Sequence, residues 1–358
     1  MNIGLIGAPQ SGKTTVFHLL TGTEPDAAAA HKRETLRAMT HVPDPRVDKL
    51  AEMSESRKIV YTTVEYLDTP GLEEGASKQS WFEGVFSGEL KNSDALGLVV
   101  RGFELDGADA PDAPRDIRRI QDELIFSDLV VIDKRHEKLL KQVRVKSPSA
   151  QETMELSVLE RAKERLEAGK PLRTLALEFH EKKALRGFQL LSEKPMLVVL
   201  NLAEGDLNQA EALAAKLTAE FAADAMAVIG LSAGIEGEIA RLDDEERAVF
   251  MSDLGITTSA RDRVLQASYA LLGLQSFLTT GDKETRAWTI RAGETALDAA
   301  GVIHSDLAKG FIRAEVVHYD DFVREGGYPG CKGKGLVRLE GKEYVVKDGD
   351  ILVIRHSG

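Results

Sequence analysis

Two hydropathy rhythms alternate along the first two thirds of the chain. Residues 3–6 form a short apolar run bounded by glycine, which predicts a strand buried on both faces. Further runs at 95–100, 196–200 and 226–231 predict the same kind of strand, and residues 59–67 are β-rich. Helical spacing over 14–20, ending at Thr21-Gly22, and a short helix over 46–53 after the Pro43-Asp44-Pro45 turn lie between them. Residues 23–33 are Ala-rich without an amphipathic period and are read as a mobile loop. Strands alternating with helices predict an α/β class, a mostly parallel sheet with helices on both faces.

A helical stretch over 117–191 interrupts this alternation, with breaks near Ser147-Pro148 and Gly169-Lys170-Pro171. Leu139, Val143, Met154, Val158, Ala162 and Leu166 fall at helical spacing and predict an amphipathic hairpin whose arms reach roughly 30 Å each. Beyond Leu274 short strands are expected at 287–290, 311–317, 337–339, 344–346 and 351–354, with a helical piece at 295–300. The division that follows is a nucleotide-binding domain in two parts, 1–126 and 192–272, an inserted helical hairpin at 127–191 and a small α+β domain at 273–358.

Composition changes little in this outline. The 358 residues support more than one core. The net charge of −12 argues against a protein that coats nucleic acid with its whole surface and leaves room for a local basic patch. The single cysteine, Cys331, cannot form a disulfide within the chain, which suits a reducing compartment. No apolar run reaches membrane-spanning length and no basic leader opens the chain, so the cytoplasm is the expected location.

The chemistry begins at Gly7-Ala8-Pro9-Gln10-Ser11-Gly12-Lys13-Thr14, which fits G-x-x-x-x-G-K-[ST] between an expected strand and helix. Backbone N–H groups from Gln10, Ser11, Gly12, Lys13, Thr14 and Thr15 are expected around phosphate oxygens, aided by the helix dipole. Lys13 brings a charge to the β- and γ-phosphates, and the Thr14 hydroxyl is a Mg²⁺ ligand candidate. A strand then leads to Asp68-Thr69-Pro70-Gly71, where Asp68 suits Mg²⁺ and Gly71 suits a γ-phosphate-sensing N–H. Leu72 stands where many GTPases carry the glutamine that orients the attacking water, so hydrolysis is slow or another group positions the water. Asn201-Leu202-Ala203-Glu204 stands where a GTPase carries Asn-Lys-x-Asp. Glu204, one methylene longer than aspartate, weakens the bidentate guanine contact and makes adenine plausible, while Leu202 is read as a cover for the base. Ser232 and Ala233, after the next strand, match a loop that closes such sites.

These residues together resemble the YchF/Obg-like ATPases, a branch of the Obg-type P-loop GTPases. The likeness runs almost end to end. It includes Pro43-Asp44-Pro45-Arg46, Asp68 to Leu72 followed by Lys78, Val99-Val100-Arg101, and Leu242-Asp243-Asp244-Glu245-Glu246-Arg247. Near the C-terminus Arg286-Ala287-Trp288-Thr289-Ile290, Lys309-Gly310-Phe311-Ile312-Arg313-Ala314 and Val346-Lys347-Asp348-Gly349-Asp350 resemble that family's TGS domain, a β-grasp module. The resemblance implies Mg²⁺-dependent binding and hydrolysis of ATP in preference to GTP, and association with ribosomes. It departs at Gln10 and Ser11, where the family carries Asn and Val. Ala30-His31-Lys32 replaces a Phe-Cys-Thr whose threonine reaches Mg²⁺, leaving Thr35 as the nearest candidate. Residues 102–115 are shorter than in the family and lack the histidine proposed there to assist catalysis. Nucleotide binding is therefore read more directly than efficient hydrolysis.

Lys134, Arg135, Lys138, Lys141, Arg144 and Lys146 gather on the first hairpin arm, with Lys134, Lys138 and Lys141 on one face. Such a face suits RNA phosphates, a ribosome or its RNA, and also occurs as an ordinary solvated helix face. Nothing in it specifies DNA, and the scattered histidines show no metal spacing. The expected function is a slow, Mg²⁺-dependent ATPase acting as a ribosome-associated switch. GTP as the ligand, or a nucleotide-gated binding module with negligible hydrolysis, are the alternatives.

Overall fold

The computed structural model describes residues 1–24, 35–69, 88–253 and 258–357. The expected loop at 23–33 lies mostly outside them. Their contacts form two units, one of residues 1–39 and 65–264 and the other of residues 40–64 and 265–358.

The first unit is built on a six-stranded sheet in the order β2-β4-β1-β5-β6-β7. These strands are β1 (Asn2–Gly7), β2 (Leu36–His41), β4 (Thr63–Asp68), β5 (Ala95–Gly102), β6 (Met196–Leu202) and β7 (Met226–Leu231). The neighbours from β4 through β7 pair in parallel, as continuous apolar runs predict. All seven residues of β6 are buried. Leu98, Val100, Val198 and Leu200 pack with Ile117 and Leu124 into one core.

Inserted between β5 and β6 is the helical hairpin, of α3 (Ala113–Val145) and α4 (Ala150–Glu167). At 33 residues α3 spans roughly 50 Å, longer than the arm the sequence suggests. Pro114 sits in its first turn behind the Asp112 cap, so the helix begins well before the periodicity becomes visible. Leu139, Val158, Ala162 and Leu166 are buried between the arms, and Val143 and Met154 pack beside them. A capping box of Ser149 and Glu152 starts the return arm. Asp128, buried at the base of α3, accepts the N–H groups of Leu191 and Ser192 at 2.9 and 2.7 Å, just ahead of β6. Burial pushes its carboxyl up to about 6 against the pull of these hydrogen bonds.

The second unit carries a mixed sheet in the order β11-β10-β12-β8-β9-β3. Its strands are β3 (Ile59–Val60), β8 (Leu274–Thr279), β9 (Thr285–Arg291), β10 (Phe311–His318), β11 (Arg338–Glu340) and β12 (Asp350–His356). Here the structure departs from the sequence reading in three places. Residues 40–64, assigned above to the nucleotide-binding part, pack with the C-terminal residues. Val47 and Leu50 of helix α2 (Pro45–Met53) are fully buried with Leu278, Ala287, Val317 and Ile351. The β-rich run at 59–67 is broken at Tyr61-Thr62, so β3 extends the second sheet while β4 enters the first. Residues 344–346 form no strand; Val345 makes a single bridge to Thr295.

Candidate functional site

The cradle is assembled where β1 ends. Gly7 closes that strand, and a Cβ there would lie 2.6 Å from the Val99 carbonyl and 2.7 Å from Ser11 Oγ, so only glycine fits. The loop then turns through two left-handed residues, Gln10 at φ 61° and Gly12 at φ 83°. Glycine adopts this conformation freely, whereas for glutamine it costs roughly 1–2 kcal/mol, a local strain that the loop holds. Helix α1 (Lys13–Thr21) follows with no side-chain cap and no acid in its first turn. Its first N–H groups and positive dipole end therefore meet no side-chain cap and no acid of the helix's own first turn.

Three polar side chains meet behind this turn. The Lys13 ammonium is buried and donates to Asp68 Oδ1 and to the Thr69 carbonyl. Thr14 Oγ1 donates to Asp68 Oδ2 at 2.8 Å. Thr69 Oγ1 donates to the Leu5 carbonyl at 2.8 Å, which fixes the chain just past β4 against β1. The parallel register Leu5↔Asp68 brings the aspartate beside the cradle.

Asn201, at the end of β6, is the hub on the other side. Its Nδ2 donates to the Ser11 carbonyl at 3.0 Å, and its Oδ1 accepts the Ala233 N–H at 3.0 Å. One carboxamide thus ties the phosphate loop to the Ser232-Ala233 loop. The contact is so close that a Cβ at residue 12 would fall 2.2 Å from Asn201 Nδ2, a second reason for Gly12. Below this loop Glu236 is buried and accepts the Ala260 N–H on both oxygens at 3.1 Å, while desolvation raises its pKa.

The other expected residues fall in three groups. Glu204 is exposed at the start of a 3₁₀ turn after β6, next to the Asn201 hub. Gln10, Thr14 and Thr15 are exposed at the mouth, and Ser11, Ser232 and Ala233 are buried beneath it. Leu202 belongs to the core with Ile6, Leu98 and Leu200 and is 4% exposed, so its side chain packs the sheet and is not an open cover for a base. Thr35 is engaged elsewhere. Its hydroxyl bonds the Glu89 carboxylate, which with Arg37 holds that acid below its usual range, and no described contact joins Thr35 to Thr14 or Asp68. Gly71 and Leu72 lie outside the described residues. The hub role of Asn201 is not legible in the sequence, because its partners are Ser11 and Ala233, remote in the chain, and no spacing rule links them.

Comparison with known proteins decides the family. A family model described as "50S ribosome-binding GTPase" matches residues 2–135, and YchF-GTPase_C, described as "Protein of unknown function (DUF933)", matches residues 274–357. The chain is 40% identical to "Ribosome-binding ATPase YchF" of Haemophilus influenzae, over 99% of this chain and 98% of that protein. It is 37% identical to the Bacillus subtilis protein of the same name, over 100% and 99%. The chain belongs to the YchF family. The solved YchF GTPase of Schizosaccharomyces pombe superposes with a TM-score of 0.85 at 28% identity, covering 99% of this chain and 97% of that one. The sheet and cradle described above are thus those of a P-loop nucleotide hydrolase of YchF type.

Proposed function

We propose that this chain is a Mg²⁺-dependent, slow ATPase that works as a nucleotide switch on the ribosome, in the cytoplasm. The observation that carries the reading is the Asn201 bridge. It couples the phosphate cradle at Ser11 to the base-side loop at Ala233 through one side chain. A triphosphate at Gly12 to Thr15 and a base near Glu204 would then be sensed by one rigid hub. The carboxylate of Glu204 stands free of any described hydrogen bond, available to accept from an exocyclic amine such as that of adenine.

The oxygen donors fit a hard divalent cation. Thr14 Oγ1 and Asp68 Oδ2 already lie 2.8 Å apart, so this pair would hold Mg²⁺ and Thr35 is the less supported third ligand. The ion supplies charge neutralisation for the β- and γ-phosphates. Lys13 orients and neutralises the phosphates, the loop N–H groups fix them, and Leu72 in place of glutamine keeps turnover low.

The ribosome reading rests on the relatives' names and on the hairpin. Arg135 is held by Glu155 in a two-bond pair at 2.7 and 2.8 Å, and Lys146 is paired with Glu152 at 2.9 Å. These two are spent inside the hairpin. Lys134, Lys138 and Lys141 remain exposed along a shallow groove with Gln142 and the bare Val145, 88% exposed. Lys141 also meets Glu137 of the same helix at 4.0 Å, a weak exposed pair that leaves the row open to solvent, and such a row on an acidic protein suits an RNA backbone. The test is phosphate release from ATP with and without ribosomes. Slow release that ribosomes accelerate supports the switch; no turnover in either condition makes the chain a binding module.

A further inference from the structure

The second unit holds a stacked arginine whose side chain makes no hydrogen bond among the described residues. Arg286 lies on β9 with its Cζ 3.9 Å from the centre of the Trp288 ring. Strand alternation puts both residues on one face of the sheet. The indole beneath is itself immobilised. Trp288 Nε1 donates to Thr279 Oγ1 at 2.9 Å, and its ring stacks on Phe277 at 6.2 Å and 10°.

Among the described residues the Arg286 side chain makes no hydrogen bond. Its Nε is buried without a partner, and the nearest carboxylate oxygen, Glu284 Oε1, is 3.8 Å from Nη1. Glu284 is already bonded by Lys58 at 2.8 Å through its other oxygen. The side chain is 37% exposed, so the guanidinium remains accessible. Other stacked arginines differ. Arg118 over Phe221 bonds Glu220, and Arg338 over Tyr344 bonds the phenol at 2.9 Å. A guanidinium fixed by stacking has lost its rotamer entropy while keeping its donors, which is the preorganised state for a planar or phosphate-bearing ligand. Exposed Arg57, Lys58 and Lys283 lie beside it, joined through the Arg57 N–H on the Asp282 carbonyl and the Thr285 N–H on the Lys58 carbonyl.

We propose that Arg286 on Trp288 is a docking platform for unpaired RNA nucleotides. A base stacks on the open face of the guanidinium and a phosphate accepts from its free N–H groups. The choice of RNA over an acidic peptide rests on the ribosome association proposed above; the platform itself stands on its own geometry.

The chain has two tryptophans, Trp81 and Trp288, so a Trp81→Phe background isolates the platform's emission. Full-length protein is titrated with single-stranded oligouridylate and oligoadenylate, and Trp288 fluorescence is read. Saturable quenching is expected, stronger for the better-stacking adenylate. Arg286→Ala is expected to weaken it about tenfold (~1.4 kcal/mol). Arg286→Lys, which keeps the charge and loses the plane, should recover less than half of that loss. Glu284→Gln should tighten binding up to about fivefold by removing the competing carboxylate. Quenching unaffected by Arg286→Ala, full rescue by lysine, or equal competition from polyglutamate would overturn the proposal. Because the probe is free RNA, this result is independent of ribosome-stimulated ATP hydrolysis.

Discussion

Lys13 and Lys138, both proposed above to meet phosphate, are set in opposite surroundings. Lys13 is buried on Asp68 and the Thr69 carbonyl, inside a turn whose glycines admit no other residue. Lys138 stands exposed on the outer face of α3 among like charges, held by nothing described. A buried charge in a fixed frame gives a geometric, weakly screened interaction, whereas an exposed row gives an additive one that salt erodes. The first would suit one small ligand; the second would suit a long, repetitive anion.

Breaking the buried member should have the largest effect. Lys13→Ala removes a charge-assisted contact and leaves Asp68 buried without its cation. Nucleotide affinity should fall by about 100-fold or more (~3 kcal/mol) in a calorimetric titration. Unchanged affinity would undo the cradle assignment.

The next effect lies at the base of the hairpin. Asp128→Ala strands the Leu191 and Ser192 N–H groups and should cost about 2–3 kcal/mol in denaturant unfolding. The sign of the pH effect follows from the raised carboxyl. Between its ordinary value of 3.8 and about 6 the folded chain keeps a proton that the unfolded chain has released. This contribution to stability is therefore present below that window and lost as pH rises through it. Asp128→Asn should flatten that part of the stability curve; a curve of the same slope would show that another group governs it.

Smallest is the exposed face. Reversing Lys138 and Lys141 to Glu should weaken ribosome co-sedimentation about tenfold at low salt and shallow its salt slope by about two charges' worth. Binding with an unaltered slope would remove this face from the account.

The same contrast explains what the sequence reveals. The cradle is legible because strand, glycines, lysine and threonine are contiguous, and local chemistry dictates each one. The hairpin is legible because Leu139, Val158, Ala162 and Leu166 repeat at helical spacing. Residues 40–64 are not, because an amphipathic helix such as α2 announces that Val47 and Leu50 are buried without saying in which core. Asn201 as a hub, Thr35 on Glu89 and Leu202 in the sheet core are likewise set by tertiary neighbours far away in the chain. The same holds for the lysine row, where only the partners from α4 show that Arg135 and Lys146 are already neutralised.

The central claim is that the Asn201 hub joins this cradle to a base site whose acid is Glu204. Calorimetric titration of the full chain with ATP and with GTP, each with Mg²⁺, tests it most directly. The account predicts tighter binding of ATP, with Glu204→Asp shifting the preference toward GTP. Tighter binding of GTP by the unaltered chain would contradict it.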